Sequence, residues 1–462
     1  MSSAWRHLEG NLVRLHFKEA LLPDGWSRDV RISIEHGLID AIEPGVQADG
    51  NDERHAAGLP GLPNLHSHAF QRGMAGLTEI RGRCSDSFWT WRDLMYRFVG
   101  RMTPEDVAAI TAQAFVEMLE AGFTRVGEFH YLHHDISGTP YANIGELAEC
   151  IVSSARDSGI GLTLLPVFYA HAGFGARVPD SGQRRFINTV DQFGRLMEAS
   201  RRAVAGYEGA LLGVAPHSLR AVTPDELAAI VPLAEGGPIH IHVAEQVQEV
   251  EDCVSWSGLR PVQWLLAHIP VDGRWCLIHA THMTDEETQS VAASGAIAGL
   301  CPITEANLGD GIFNAPTFFN AGGHFGVGSD SNVLIGAADE LRQLEYSQRL
   351  ALRARNVLAT ASMASTGRFL FEGALVGGSQ ALGVPGGLAL GRPADIFSLE
   401  AGQAALAGRS GDALLDSWVF CGKSLVDCVW TSGRKVVTNG KHHQAEQVAT
   451  RFRKRLEGLL AT

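Results

Sequence analysis

The feature that most constrains this chain is a regular alternation, through its middle, of apolar strand-like segments and amphipathic helical segments. Helix signals lie between the strands: Thr103 is suited to cap a helix that ends before Gly122. Strands separated by helices pair in parallel, so eight of them predict an α/β fold, a (β/α)8 TIM-type barrel. An open doubly wound sheet is the alternative, but no Gly-x-Gly-x-x-Gly pattern follows the first strand. The predicted strands end near His68, Phe129, Phe168, His217, Glu245, Ala280, Pro302 and Asp330.

Both ends of the chain carry short β-strand patterns in place of this alternation. Short apolar runs punctuated by turn residues occupy residues 13–42 and return over residues 394–438. We therefore expect three parts: residues 1–57 and 379–462 build one small β-sandwich domain, and residues 58–378 build the barrel. A terminal helix over about residues 445–460 is predicted to cover an edge or an interface.

Composition excludes several classes of function. The formal net charge of -13 predicts no binding to nucleic acid or to an anionic membrane surface. Seven cysteines without a Cys-x-x-Cys pair argue against a disulfide framework. The first residues show no apolar signal pattern, and no apolar run is long enough to span a bilayer. A reduced, cytoplasmic setting is therefore expected, and any anionic small substrate would have to be met by local arginines.

Polar side chains with metal-ligand chemistry recur where the predicted strands end. His66 and His68 are one residue apart on the first strand, so their side chains point to the same side. Each such residue has an ordinary alternative explanation when taken alone, such as a buried hydrogen-bonded histidine or a helix cap. Strand ends meet at one mouth of a barrel, however, which favours a joint site. Its further members come from strands five, six and eight: His242, Glu245, His279 and Asp330.

Chemistry divides the roles among these residues. Three histidine nitrogens and one carboxylate suit Zn²⁺, although Fe²⁺ or Mn²⁺ remains an alternative. Glu245 lies three residues beyond a ligand and can protonate a leaving nitrogen. His279 can orient the attacking hydroxide, and Asp330 can also move a proton. The predicted ligands are His66, His68, His242 and Asp330.

This pattern resembles the amidohydrolase superfamily, and in particular its deaminases with a single metal ion. Strand four, residues 211–217, lacks the lysine that bridges two metals in other members. Longer motifs are similar to those of the formimidoylglutamate deiminases: residues 66–79, 88–96, 215–222, 242–246 and 301–311. The resemblance covers nearly the whole chain. It implies metal-dependent hydrolysis of N-formimino-L-glutamate to N-formyl-L-glutamate and ammonia, in histidine degradation, by a homodimer.

A substrate with two carboxylates needs local positive charge in this acidic protein. Arg92 and Arg220 fit that need, because guanidinium pairs bidentately with carboxylate. The resemblance implies that Arg220 and His217 hold one carboxylate. It assigns the other carboxylate to Gln71, Arg92 and Tyr131.

Two alternatives stay open at this point. A related deaminase or hydrolase could act on a ring such as guanine or imidazolonepropionate with the same metal residues, although a neutral purine needs amide-type donors and stacking more than two arginines. A non-enzymatic scaffold on the same barrel is the other alternative. It is disfavoured because every predicted ligand and Glu245 are present.

Overall fold

A computed structural model describes residues 12–81, 88–400, 402–422 and 425–461. The N-terminal residues without a signal pattern lie outside these ranges. The chain begins with four strands of the small domain, β1 (Val13–Leu22), β2 (Gly25–Glu35), β3 (Leu38–Glu43) and β4 (Glu53–Pro60). β1 forms an antiparallel hairpin with β2 and pairs in parallel with β4.

The barrel follows directly after Gly61. Its strands are β5 (Leu62–Ser67), β6 (Phe123–His130), β7 (Gly161–Phe168), β8 (Leu211–Leu212), β9 (Ala215–Pro216), β10 (Ile239–Val243), β11 (Trp275–His279), β12 (Ile297–Leu300) and β13 (His324–Val327). Neighbouring strands pair in parallel. Backbone bridges from Val214 to Ile239 and from Ser67 to Asp330 close the ring. The predicted (β/α)8 barrel is confirmed.

The fourth barrel position differs from the single predicted strand. It consists of two short pieces, β8 and β9, on either side of Gly213. A side chain at Gly213 would lie 2.5 Å from the carbonyl oxygen of Pro238, so the two backbones approach too closely for any residue but glycine. The apolar pattern of residues 211–217 does not reveal this interruption.

Helices surround the barrel. They are α1 (Phe88–Val99), α2 (Pro104–Glu120), α3 (Glu146–Ser158), α4 (Val190–Ala205), α5 (Pro224–Ile230), α6 (Val247–Ser257), α7 (Pro261–His268), α8 (Asp285–Ser294), α9 (Pro302–Leu308), α10 (Ala315–Asn320), α11 (Ala337–Leu352), α12 (Thr366–Ala381), α13 (Asp412–Phe420) and α14 (Ala445–Leu460). Short 3₁₀ helices span Ala69–Met74, Ser181–Gln183, Val231–Ala234 and Ala404–Leu406. Thr103 caps α2 in a reciprocal capping box with Asp106, as its position predicts. Among the described helices, none combines the length and apolar composition needed to cross a membrane.

The chain returns to the small domain through β14 (Ile396–Leu399), β15 (Val426–Thr431), β16 (Arg434–Thr438) and β17 (Lys441–His442). These strands join the first four in one eight-stranded sheet, in the order β17-β16-β15-β14-β4-β1-β2-β3. The sheet curls over itself. Two contacts show this: Leu38, near one edge, pairs with Pro393, and Ile34 packs against the turn at Gly433. Side chains from both chain ends, such as Phe17 and Trp430, share its core. The small β domain from both termini is confirmed.

Candidate active site

Four donor atoms converge at the mouth where the barrel strands end. The Nε2 atom of His66 lies 3.2 Å from the Nε2 atoms of both His68 and His242. An Asp330 carboxylate oxygen lies 3.5 Å from the His66 nitrogen and 3.3 Å from the His68 nitrogen. Ligand atoms at 2.0–2.1 Å from a tetrahedral zinc ion would be about 3.3 Å apart, so these separations fit such an ion.

The hydrogen bonds made by the Nδ1 atoms of His68 and His242 leave their Nε2 atoms free to bind a cation. His68 Nδ1 lies 3.0 Å from the carbonyl oxygen of Phe129, and His242 Nδ1 lies 3.0 Å from that of His217. A carbonyl only accepts, so both Nδ1 atoms carry the hydrogen and both Nε2 atoms present lone pairs. Burial also lowers the pKa values of His66, His68 and His242, which keeps these rings neutral. Lone pairs facing each other repel unless a divalent metal ion lies between them.

Unusual backbone conformations are concentrated at this mouth of the barrel. Positive φ angles occur at several non-glycine residues that end barrel strands, a conformation that costs free energy and clusters at functional sites. The backbone N–H of Asp330 donates to the backbone carbonyl of His66 at 3.0 Å, and the backbone N–H of His68 donates to that of Asp330 at 2.9 Å. These two bonds join the first and last strands directly beneath the donor atoms. The strained residues are Ala244, His279, Ala280, Asp330 and Asn332.

Glu245 and His279 lie beside the predicted metal ligands. The Nε2 atom of His279 is 3.7 Å from a Glu245 carboxylate oxygen and 3.7 Å from an Asp330 carboxylate oxygen. Burial raises the pKa of Glu245 to about 7, although His279 and Arg220 oppose that shift. Burial disfavours charge on His279, but the surrounding carboxylates outweigh it and raise its pKa to about 10. This arrangement can donate and accept protons at neutral pH.

A pocket opens above these residues, with about 580 Å³ of space including its mouth. Two arginines enter it: Arg220 is 9% exposed, and Arg92 comes from α1. The Nε atoms of both are buried and have no hydrogen-bond partner in the described structure. Their guanidinium carbons lie 4.6 Å (Arg92) and 5.7 Å (Arg220) from the centre of the Trp89 ring. The pocket therefore presents unsatisfied cationic donors to a ligand.

The other substrate residues named from the sequence also line the pocket. Gln71 donates to the hydroxyl of Tyr131 at 2.9 Å, while its own side-chain oxygen is buried without a partner. The centre of the His217 ring lies 5.0 Å from that of the predicted ligand His242, and burial lowers the pKa of His217 well below the usual value. Polar groups with unused capacity thus surround the same space as the two arginines.

Several further residues at the site were not assigned from the sequence. Glu305, left without a role there, accepts a hydrogen bond from His279, while Asn307 instead donates to Glu79 and Asp310 accepts from Gln246. A polar residue soon after a strand end was the available signal for Glu305. The apolar lining gave no such signal, because buried aromatic residues occur throughout the core. That missed lining comprises Phe88, Met95, Tyr96, Tyr169, Phe186 and Leu308, with Thr304 and Ser331.

Fold and site together define a metal-dependent hydrolase of the barrel type, and known proteins agree. The amidohydrolase family model matches residues 58–436, and the model described as formimidoylglutamate deiminase HutF, N-terminal domain, matches residues 14–56. A formimidoylglutamate deiminase of Pseudomonas aeruginosa is 51% identical over 439 residues, covering 94% of this chain and 97% of its own length. The chain therefore belongs to the amidohydrolase family, and within it to the formimidoylglutamate deiminases.

Solved structures are similar over almost the whole length. An amidohydrolase from Brucella melitensis superposes with a TM-score of 0.95 at 59% identity, covering 97% of this chain and all of its own. A zinc-bound adenosine deaminase from Xanthomonas campestris has a TM-score of 0.80 at 20% identity, covering 97% of this chain and 99% of its own, which is a likeness of fold. The protein is a hydrolase acting on a C–N bond, with a divalent metal site.

Proposed function

We propose that this enzyme hydrolyses N-formimino-L-glutamate to N-formyl-L-glutamate and ammonia, in histidine degradation. One observation carries the proposal: two arginines with buried, unsatisfied donors face the same pocket as the histidine–aspartate cluster. A substrate with two carboxylates and a hydrolysable C=N group has the chemistry that both features require. The relative with 51% identity is named for this activity.

The proposed binding mode uses the polar lining in two groups. Arg220 and His217 hold one carboxylate, and Gln71, Arg92 and Tyr131 hold the other. The unused capacity of the Arg92 and Arg220 Nε atoms and of the Gln71 oxygen supports this division. Buried polar groups left unpaired are costly, so a ligand that satisfies them gains both affinity and specificity.

The proposed reaction takes place beside the side-chain carboxylates of Glu245 and Asp330 and the ring of His279. His66, His68, His242 and Asp330 would hold a divalent metal ion, proposed to be Zn²⁺, and such an ion would supply the Lewis acidity that makes water nucleophilic at neutral pH. Glu245 takes a proton as water adds to the formimino carbon and passes it to the terminal nitrogen, which becomes an amine. The second proton of the water moves from the new hydroxyl, through Asp330, to the same nitrogen, which leaves as ammonia as the C–N bond breaks and the C=O bond forms. His279, 3.7 Å from Glu245 and from Asp330, hydrogen-bonds the oxygen that develops charge.

Ammonia release discriminates this function from its alternatives. The purified metal-loaded enzyme is assayed with N-formimino-L-glutamate, N-formimino-L-aspartate and guanine under identical conditions. We expect the glutamate compound to be the best substrate, the aspartate analogue to be weaker, and guanine to be inert because it lacks carboxylates. Faster turnover of guanine, or no turnover of either formimino compound, would contradict the proposal.

We further propose a cytoplasmic homodimer. The cysteines at described positions are all free thiols, which fits a reducing compartment. Exposed leucines at the end of α11, Leu350 and Leu352, offer apolar surface away from the pocket. Light scattering of the purified enzyme is expected to give twice the mass of one chain, and a monomer at working concentrations would refute the dimer.

A further inference from the structure

Glu305 contacts His279 but has no part in the proposed proton transfers. It lies on α9, immediately after barrel strand β12, and is 5% exposed. Its Oε1 atom is 3.3 Å from the Nδ1 atom of His279, which donates the hydrogen bond. The same oxygen accepts the backbone N–H of Cys301 at 2.9 Å, so the carboxylate is itself held in place.

The bond restricts what the His279 ring can do. A ring anchored through Nδ1 cannot turn over, and it directs Nε2 toward the opposite side. On that side Nε2 lies between the carboxylates of Glu245 and Asp330, 3.7 Å from each. The His279 ring also stacks on the His242 ring, with 5.6 Å between ring centres and 25° between ring planes. Stacking fixes the plane of the ring, and the Nδ1 hydrogen bond fixes which ring edge faces the pocket.

We propose that Glu305 is a positioning residue for the deimination: it accepts the Nδ1 hydrogen of His279 and so aims Nε2 at the reacting oxygen. This inference rests on the proposed function. Glu305 is neither one of the residues that line the pocket nor one of the four proposed metal ligands, and its described side-chain contact with the site is the one with His279. Its role concerns the orientation of a hydrogen bond and not the affinity for substrate or metal.

A role of Glu305 in stabilising its own helix must be separated from its proposed role in positioning His279. Glu305 also accepts a backbone N–H at the start of its helix, a bond that stabilises helices generally. Glu287 offers a matched control on α8, because it is 3% exposed and accepts the backbone N–H of Thr284 at 2.8 Å. Glu287 pairs with Arg260 instead of a histidine of the site.

Two variants of similar size test the proposal. Glu305→Gln keeps an acceptor oxygen, whereas Glu305→Met keeps the length and removes it. We expect Glu305→Met to lower kcat roughly 10- to 100-fold, the usual effect of losing a partner that orients a ring at a metal site. KM and the metal content per chain stay unchanged, and Glu305→Gln retains most of kcat. Glu287→Met is expected to lower the melting temperature without a comparable loss of kcat.

A double-mutant cycle with His279→Gln supplies the decisive measurement. If Glu305 works through His279, adding Glu305→Met to His279→Gln causes no further loss of kcat. Multiplicative losses, an unchanged kcat in Glu305→Met, equal defects in the Gln and Met variants, or loss of metal in parallel with activity would each overturn the inference. Failure of the wild-type enzyme to release ammonia from N-formimino-L-glutamate would instead refute the proposed function.

Discussion

At the scale of single residues, the site depends on which histidine nitrogen carries a hydrogen. His68 and His242 both donate Nδ1 to backbone carbonyls, so both expose Nε2 lone pairs to the same point. Strand spacing predicted that the side chains converge, because residues two apart point to one side. The tautomers could not be predicted, since the carbonyl groups that accept these hydrogens lie elsewhere in the chain, on Phe129 in β6 and on His217 just after β9.

Glu245→Gln tests proton transfer at this scale. The amide retains the shape of the side chain and one accepting oxygen but cannot move a proton, so we expect kcat to fall roughly 100- to 10,000-fold. Metal content, measured by atomic emission, should remain that of the wild type because Glu245 is not among the four clustered ligands. Retention of near-normal turnover would exclude Glu245 as the acid–base group.

Arg220→Met tests the recognition of a carboxylate. Loss of charge-assisted hydrogen bonds worth about 1.5–3 kcal/mol should raise KM roughly 10- to 100-fold, with a smaller change in kcat. Steady-state kinetics with N-formimino-L-glutamate measure this. Arg349→Met is the matched control, because Arg349 also lies over aromatic rings but outside the pocket. An unchanged kcat/KM in Arg220→Met would remove this residue from the site.

At the scale of elements, the first and last barrel strands act as a unit. Asn332 links them: its side-chain amide donates to the Ser67 hydroxyl at 3.2 Å and to the carbonyls of His68 and Asp330 at 3.1 and 3.0 Å. Three of the four proposed metal ligands, His66, His68 and Asp330, lie on the segments joined in this way. The strand ends were predictable from the apolar pattern, but this cross-link required knowledge of which strands meet.

Asn332→Gly should therefore weaken metal binding. Glycine adopts the positive φ of 55° without strain, so the substitution removes the side-chain hydrogen bonds without distorting the backbone. The lost bonds are the three donated ones and the bond that the side-chain oxygen accepts from the Ser329 hydroxyl at 2.6 Å. We expect metal affinity, measured by competition with a chromophoric chelator, to fall roughly 10- to 100-fold. Asn356→Gly is the control, since Asn356 has a φ of 51° and lies exposed on another loop. Equal affinities in the two variants would show that the cross-link does not support the site.

At the scale of the whole molecule, the metal site closes the barrel from strands far apart in the chain. His66 and Asp330 are separated by most of the barrel sequence, and their side chains meet only in the folded state. A ligand that binds only the folded state stabilises it, by about 4 kcal/mol when the free ion exceeds its Kd a thousandfold. We therefore expect metal binding and folding to be coupled in this protein.

Demetallation tests that coupling. We expect chelation and dialysis to lower the melting temperature by several degrees and to abolish turnover, and added Zn²⁺ to restore both. Calorimetry with and without metal gives the shift. Asp330→Ala, which lacks one ligand, should show a much smaller response to added ion. Identical melting and undiminished activity after complete metal removal would contradict the proposed centre.

The sequence by itself determined the barrel, the two-ended β domain and the positions of the polar strand ends, because these depend on local periodicity and on residue type. The domain boundaries at residues 57 and 378 stay predictions. Only the tertiary structure decided that β8 and β9 are separate, that the terminal strands form one curled sheet, and that Glu305 reaches His279. Each of these depends on contacts between segments distant in the chain, where the closeness of two backbones or the placement of one acceptor has no signature in local sequence.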